Sequence, residues 1–179
     1  MILPIKGGVI TSPFNEPRPL EGAKTHVHGA LDVARGDGIA LAPVSGVARA
    51  YLFLRSQTPW SRTDKTEILA VPAREYWYDL FGGVIEIRAD DGTYHLMTHF
   101  YGSVLQERFG PFKYIESNVQ TRTPTIMLAS NGKMLSEGDK LCAIGNAGYS
   151  TGPHIHWEIH PTPSIYLHSG RIDPEALLS

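Results

Sequence analysis

The sequence predicts a mainly β, single-domain protein built on an antiparallel sheet. Two observations carry that prediction. The 18 glycines and 13 prolines are scattered between short β-rich runs rather than pooled in a linker, which is the punctuation of strands and turns. Sustained 3.6-residue periodicity, the mark of amphipathic helices, is hard to find. At 179 residues the chain has room for one hydrophobic core and is short for two.

The predicted strands run from Gly46 to Leu54, Gly83 to Ala89, Tyr94 to His99, Lys140 to Ile144 and His154 to Ile159. Asp91-Gly92, Asn131-Gly132 and Glu137-Gly138 read as the turns that bound them. The helix candidates, Thr63 to Val71 and Pro174 to Leu178, are short. Ser56 to Leu80 and Gly102 to Ser136 fit the strand rhythm badly and read as long excursions, of the kind that form lids, binding walls or partner surfaces. Trp60, Trp77 and Tyr78 in the first are placed to line a substrate groove, and Tyr76, Trp77 and Tyr78 equally to pack the excursion onto the body. The expected organisation is one domain over 1–179, insertions near 56–80 and 102–136, and a short tail over 161–179.

Composition excludes several functions. Charged residues make up 19% and the formal net charge is -2, so there is no electrostatic footprint for nucleic acid and no disordered tract. The single cysteine, Cys142, rules out an internal disulfide or a cysteine-rich metal site, and its apolar neighbours mark it as a small core residue. No apolar stretch approaches the roughly 20 residues of a spanning helix, and Met1 to Ser12 do not read as a secretory signal. A chain acting outside the cytoplasm is then expected to be phage-encoded, delivered by another system, or trimmed from something longer. Oligomeric state is not legible.

The histidines carry the chemical information. Six of the eight fall in pairs: His26 with His28, His95 with His99, and His154 with His156. In His28-Gly29-Ala30-Leu31-Asp32 an imidazole and a carboxylate stand four residues apart, and on an extended segment such positions point to one side. In His154-Ile155-His156-Trp157-Glu158-Ile159, alternation puts His154, His156 and Glu158 on one face and the three apolar residues on the other. Catalytic zinc takes three nitrogen or oxygen ligands and keeps a fourth position open, and these two segments can supply such a set. Glu158 either supports a histidine ring N–H or forms a cross-strand ion pair.

Thr151-Gly152-Pro153-His154-Ile155-His156-Trp157-Glu158 resembles the signature of the LytM or lysostaphin-type zinc endopeptidases, the M23 peptidase family. Ile10 to Phe14 with Arg18, Asp32 to Ala48, and Gly138 to Ser150 resemble other parts of that family in order. The resemblance implies a LytM/lysostaphin-like core (duplicated hybrid motif-like) with its metal site in an open groove. It implies one Zn2+ held by His28, Asp32 and His156, and catalytic roles for His154 and His99. His95, two pleats before His99 on the same expected strand face, is the rival for the last role, and His26 is expected at the rim. The implied substrate is the peptide part of bacterial peptidoglycan, so the implied place of action is the cell wall. Ala30 departs from the glycine usual between the first two ligands, and both excursions exceed the loops of a minimal family domain.

Overall fold

In the computed structural model, residues 1–19, 25–55, 82–115, 125–148, 150–163 and 170–178 are described. The whole of the first excursion, with the helix candidate at Thr63 to Val71, Trp60, Trp77 and Tyr78, lies outside them. The main sheet is antiparallel and runs β1 (Gly8–Ser12), β4 (Leu31–Arg35), β13 (His154–His160), β8 (Tyr94–Phe100), β7 (Gly83–Ala89), β6 (Gly46–Arg55), β10 (Thr125–Ser130) and β9 (Phe112–Ile115), with β11 (Lys133–Leu135) also on β6. Two ribbons accompany it: β2 (Pro17–Pro19) with β3 (Thr25–Val27), and β5 (Ile39–Leu41) with β12 (Lys140–Ala143).

Side-chain alternation sends one set of residues from each central strand into a shared core. Ala48, Ala50 and Leu52 on β6, Ile85 and Ile87 on β7, Met97 on β8, and Ile155, Trp157 and Ile159 on β13 all enter one core, as period-2 strands require. Trp157 is fully buried, and truncating such a side chain to alanine costs about 3–5 kcal/mol. Cys142 packs against this core, and burial pushes its thiol up to about 12.

Two expectations change here. In its described residues the second excursion is structured: it holds α1 (Gly102–Phe109) and strands β9, β10 and β11. The helix escapes sequence patterning because a two-turn element needs only Leu105 and Phe109, spaced i,i+4, to reach the core. Asn131-Gly132 does not reverse the chain. β10 pairs Ala129 with Tyr51 and β11 pairs Lys133 with Ala48 on the same strand β6, so four steps on one side match three on the other. The dipeptide marks a bulge. Asp91-Gly92 does form the β7–β8 turn, with Gly92 at φ 88° and Thr93 N–H donating to Asp91 Oδ1 at 2.9 Å. At the C-terminus, Glu175–Leu177 forms a single 3-10 turn.

Candidate metal centre

The site lies where β4, β13 and β8 neighbour one another, on the face opposite the core. β13 pairs His156 with Asp32 across β4, so one ladder rung brings these two residues together. His28 enters from the segment preceding β4. An extended run would leave its Cα about 13 Å from that of Asp32, yet His28 Nε2 is 3.2 Å from Asp32 Oδ1. The chain bends at Ala30, which draws the two side chains together. The pairing expected of these residues holds, but a bend, not strand alternation, produces it.

The donor atoms are sorted by their neighbours. His28 Nδ1 faces the carbonyl of Pro13 at 3.2 Å; a carbonyl only accepts, so Nδ1 carries the hydrogen and Nε2 keeps a lone pair. Ser12 Oγ also reaches His28 Nδ1, at 3.1 Å, and is hydrogen-bonded to Glu16. Asp32 Oδ2 accepts from Arg18 Nη2 at 2.8 Å, which leaves Oδ1 for the centre. His156 Nε2 donates to Glu158 Oε1 at 3.0 Å, which leaves Nδ1. These three inner atoms lie 3.1 Å (His28 to His156), 3.2 Å (His28 to Asp32) and 2.9 Å (His156 to Asp32) apart. Donors on a tetrahedral ion at about 2.1 Å stand about 3.4 Å from one another, so the set fits one small divalent cation. Among the described residues, His28, Asp32 and His156 form a group of donors close enough to share an ion.

Electrostatics describes the same convergence. Burial works to raise Asp32, but hydrogen bonds and charge from His156 and His28 hold its carboxyl well below the usual carboxylate range. Burial works to lower His156, yet its hydrogen bonds to Asp32 and Glu158 and their charges raise it. Without a metal, a proton is the cation this pocket favours.

His99 and His154 flank the centre. His154 Nδ1 donates to Gly152 O at 2.8 Å, and its Nε2 lies 3.7 Å from Asp32 Oδ1. His99 Nδ1 donates to Ala147 O at 2.8 Å, while Ala147 N–H donates back to His99 O at 3.0 Å. The His99 ring is 4.6 Å from that of His154 and 5.8 Å from that of His156, centroid to centroid. Burial, then the neighbouring His156 and His154, pushes His99 down to about 3. It is a neutral imidazole with its lone pair on Nε2.

His95 is not on this face. Gly83 pairs with Phe100 and Ile85 with Met97, so Val84 alone opposes Thr98 and His99. That bulge, with His99 at φ 73°, inverts the strand's parity. His95 stays on the core side, where its ring stacks on Trp157 at 5.8 Å and accepts the indole N–H at 3.3 Å. The expectation that His95 and His99 share a face is therefore corrected. His26 lies on β3, paired with Arg18 on β2. In the sequence Arg18 stands out only as part of a motif, and His160 and Arg171, both bonded to Glu158, carry no signal beyond the alternation that continues from His154 to His160.

No protein-family model and no curated protein matches the chain. Among solved structures, the catalytic domain of the antimicrobial peptidase lysostaphin from Staphylococcus simulans aligns with a TM-score of 0.53 at 19% identity, over 96% of this chain and 92% of that one. A zinc-containing peptidase from Vibrio cholerae aligns with a TM-score of 0.51 at 17% identity, over 95% of this chain. The chain spans only 37% of that peptidase's length. A structure of the SpoIIQ–SpoIIIAH pore-forming complex aligns with a TM-score of 0.52 at 13% identity, over 99% of this chain and 89% of that one. These likenesses establish a LytM/lysostaphin-type fold, as the sequence motifs implied.

Proposed function

We propose that this chain is a zinc-dependent endopeptidase that hydrolyses peptide cross-links of bacterial peptidoglycan, with His28, Asp32 and His156 as ligands of one Zn2+ and His99 and His154 as catalytic residues. The observation that carries the reading is the convergence of three acceptor atoms within 3.2 Å of one another. Each residue's outward atom is already engaged, by Pro13, Arg18 or Glu158. Three lone pairs aimed at one point repel unless a cation lies between them, and two imidazoles with a carboxylate are the ligand chemistry of catalytic zinc. Bound there, the ion would lower the pKa of a water and polarise the scissile carbonyl.

The flanking histidines do the proton work. Both are held by backbone carbonyls at Nδ1, so both offer Nε2 for chemistry. One accepts the proton of the attacking water, and the other supports the developing oxyanion or protonates the leaving amine. His154 and His156 keep about 15% and 14% of their side chains exposed, which leaves the centre a route to solvent and substrate. Action on the cell wall follows from this substrate, and no described helix is long and apolar enough to cross a membrane. We place the whole of 1–179 in one peptidase domain.

The likeness to the SpoIIQ–SpoIIIAH complex favours a second reading, a non-catalytic cell-wall regulator or a structural component of a virion or secretion assembly. Zinc analysis of the purified chain, together with release of soluble fragments from purified peptidoglycan, separates the two. Stoichiometric zinc with peptide-bond cleavage seen by mass spectrometry supports the enzyme. Intact peptidoglycan with a zinc-loaded chain supports the second reading.

A further inference from the structure

Glu158 is almost wholly buried (2% exposed), and its two oxygens are divided between two tasks. Oε1 accepts from His156 Nε2 at 3.0 Å. Oε2 accepts from His160 Nε2 at 2.7 Å and from Arg171 Nε at 3.0 Å. The hydrogen bond at Oε1 fixes which ring nitrogen of His156 carries the hydrogen, and so which one faces His28 and Asp32. Arg171 comes from the C-terminal tail, 13 positions after Glu158. The tail is joined to β13 beside it, where Ile172 N–H donates to Ile159 O at 2.8 Å. The same guanidinium lies against Gly29, in the segment between His28 and Asp32: a Cβ on Gly29 would stand 2.1 Å from Arg171 Nη1. One side chain of the tail thus touches both segments that carry the proposed ligands.

We infer that Arg171 and Glu158 form a positioning pair for the metal centre, through which the C-terminal tail sets the orientation and tautomer of His156. The inference rests on the zinc reading above. A purely structural ion pair would stabilise the fold and leave metal affinity alone. A positioning pair acts on affinity, because the outer partner of a metal-bound histidine holds its ring in the binding orientation. Towards His156 the carboxylate is the intermediate, since Arg171 bonds to Glu158 and Glu158 bonds to His156.

The test uses the full chain, stripped of metal, with zinc affinity measured by competition against a chromophoric chelator and thermal melting of the metal-free form measured in parallel. Glu158→Gln keeps the size and one acceptor but loses the charge, and should weaken zinc binding roughly 10- to 100-fold. Arg171→Ala should weaken it by a smaller factor. The double variant should weaken binding by less than the product of the two single effects, because Arg171 reaches His156 through the carboxylate. Wild-type zinc affinity in Glu158→Gln, or effects of the two variants that multiply, would overturn the pair. Absence of zinc uptake by the wild type would instead remove the zinc reading, and the inference with it. Should Glu158→Gln not fold, Arg171→Ala decides the matter: weaker zinc at an unchanged metal-free melting temperature supports the pair, and unchanged affinity overturns it.

Discussion

His95 and His99 are four residues apart on one strand, and the bulge between them predicts opposite consequences of replacing each. His95 is 2% exposed and burial holds it down to about 4, from an ordinary value of 6.5. A histidine whose folded pKa is depressed stabilises the fold fully above 6.5 and loses that contribution as pH falls towards 4, because the unfolded chain takes up the proton first. Between pH 7 and pH 5 the loss for this one group comes to about 2 kcal/mol. His95→Gln removes the titration while keeping an acceptor for the Trp157 indole N–H. Urea unfolding of metal-free protein should therefore show the wild type losing about 2 kcal/mol more than His95→Gln over that interval. His99 and the other carboxylates and histidines titrate in both proteins and cancel. At pH 7, with zinc, His95→Gln should cleave substrate at close to the wild-type rate, whereas His99→Gln should lose roughly 10²- to 10⁴-fold. Parallel pH profiles for the two proteins would show that His95 is not a neutral core group. A His95 variant as inactive as the His99 variant would show that the bulge does not sort them.

Three further outcomes follow from the centre. His28→Ala and His156→Ala should lose both zinc and activity, while His154→Ala keeps zinc and loses most activity; metal analysis of the purified variants reads this directly, and full zinc in His156→Ala would show the roles to be misassigned. Arg18→Ala frees Asp32 Oδ2, but the arginine side chain is 42% exposed and its bond is partly screened, so chelator competition should find only a few-fold loss of zinc affinity, and no loss would deny it a part in orienting Asp32. Gly145→Ala would place a methyl 2.1 Å from the His99 carbonyl oxygen, displacing the bulge; turnover should fall at least tenfold with zinc content intact, and unchanged turnover would mean that the loop holding His99 tolerates the shift.

The legible parts of this molecule are those that depend on chemistry within a few residues of chain. β13 is the clearest case: Ile155, Trp157 and Ile159 could be assigned to the core and His154, His156 and Glu158 to the other face because a regular strand admits no other arrangement, and the buried set agrees. The strands of the second excursion escape such patterning for the complementary reason, since β10 and β11 draw their regularity from β6, and β9 from β10, and not from their own residues. Bulges mark the limit of such reasoning. One extra residue at Thr98–His99 reverses the parity of everything after it, and what holds that residue is a pair of hydrogen bonds to Ala147, forty-eight positions along the chain. No local pattern around His99 contains that information. The same holds for Arg171, which meets Glu158 only because Ile172 bridges to Ile159. The ligand set is written in two short motifs, while the groups that orient it are supplied by long-range register. Substitutions far along the chain, at Ala147 or Arg171, should therefore act on the centre more strongly than their distance in sequence suggests.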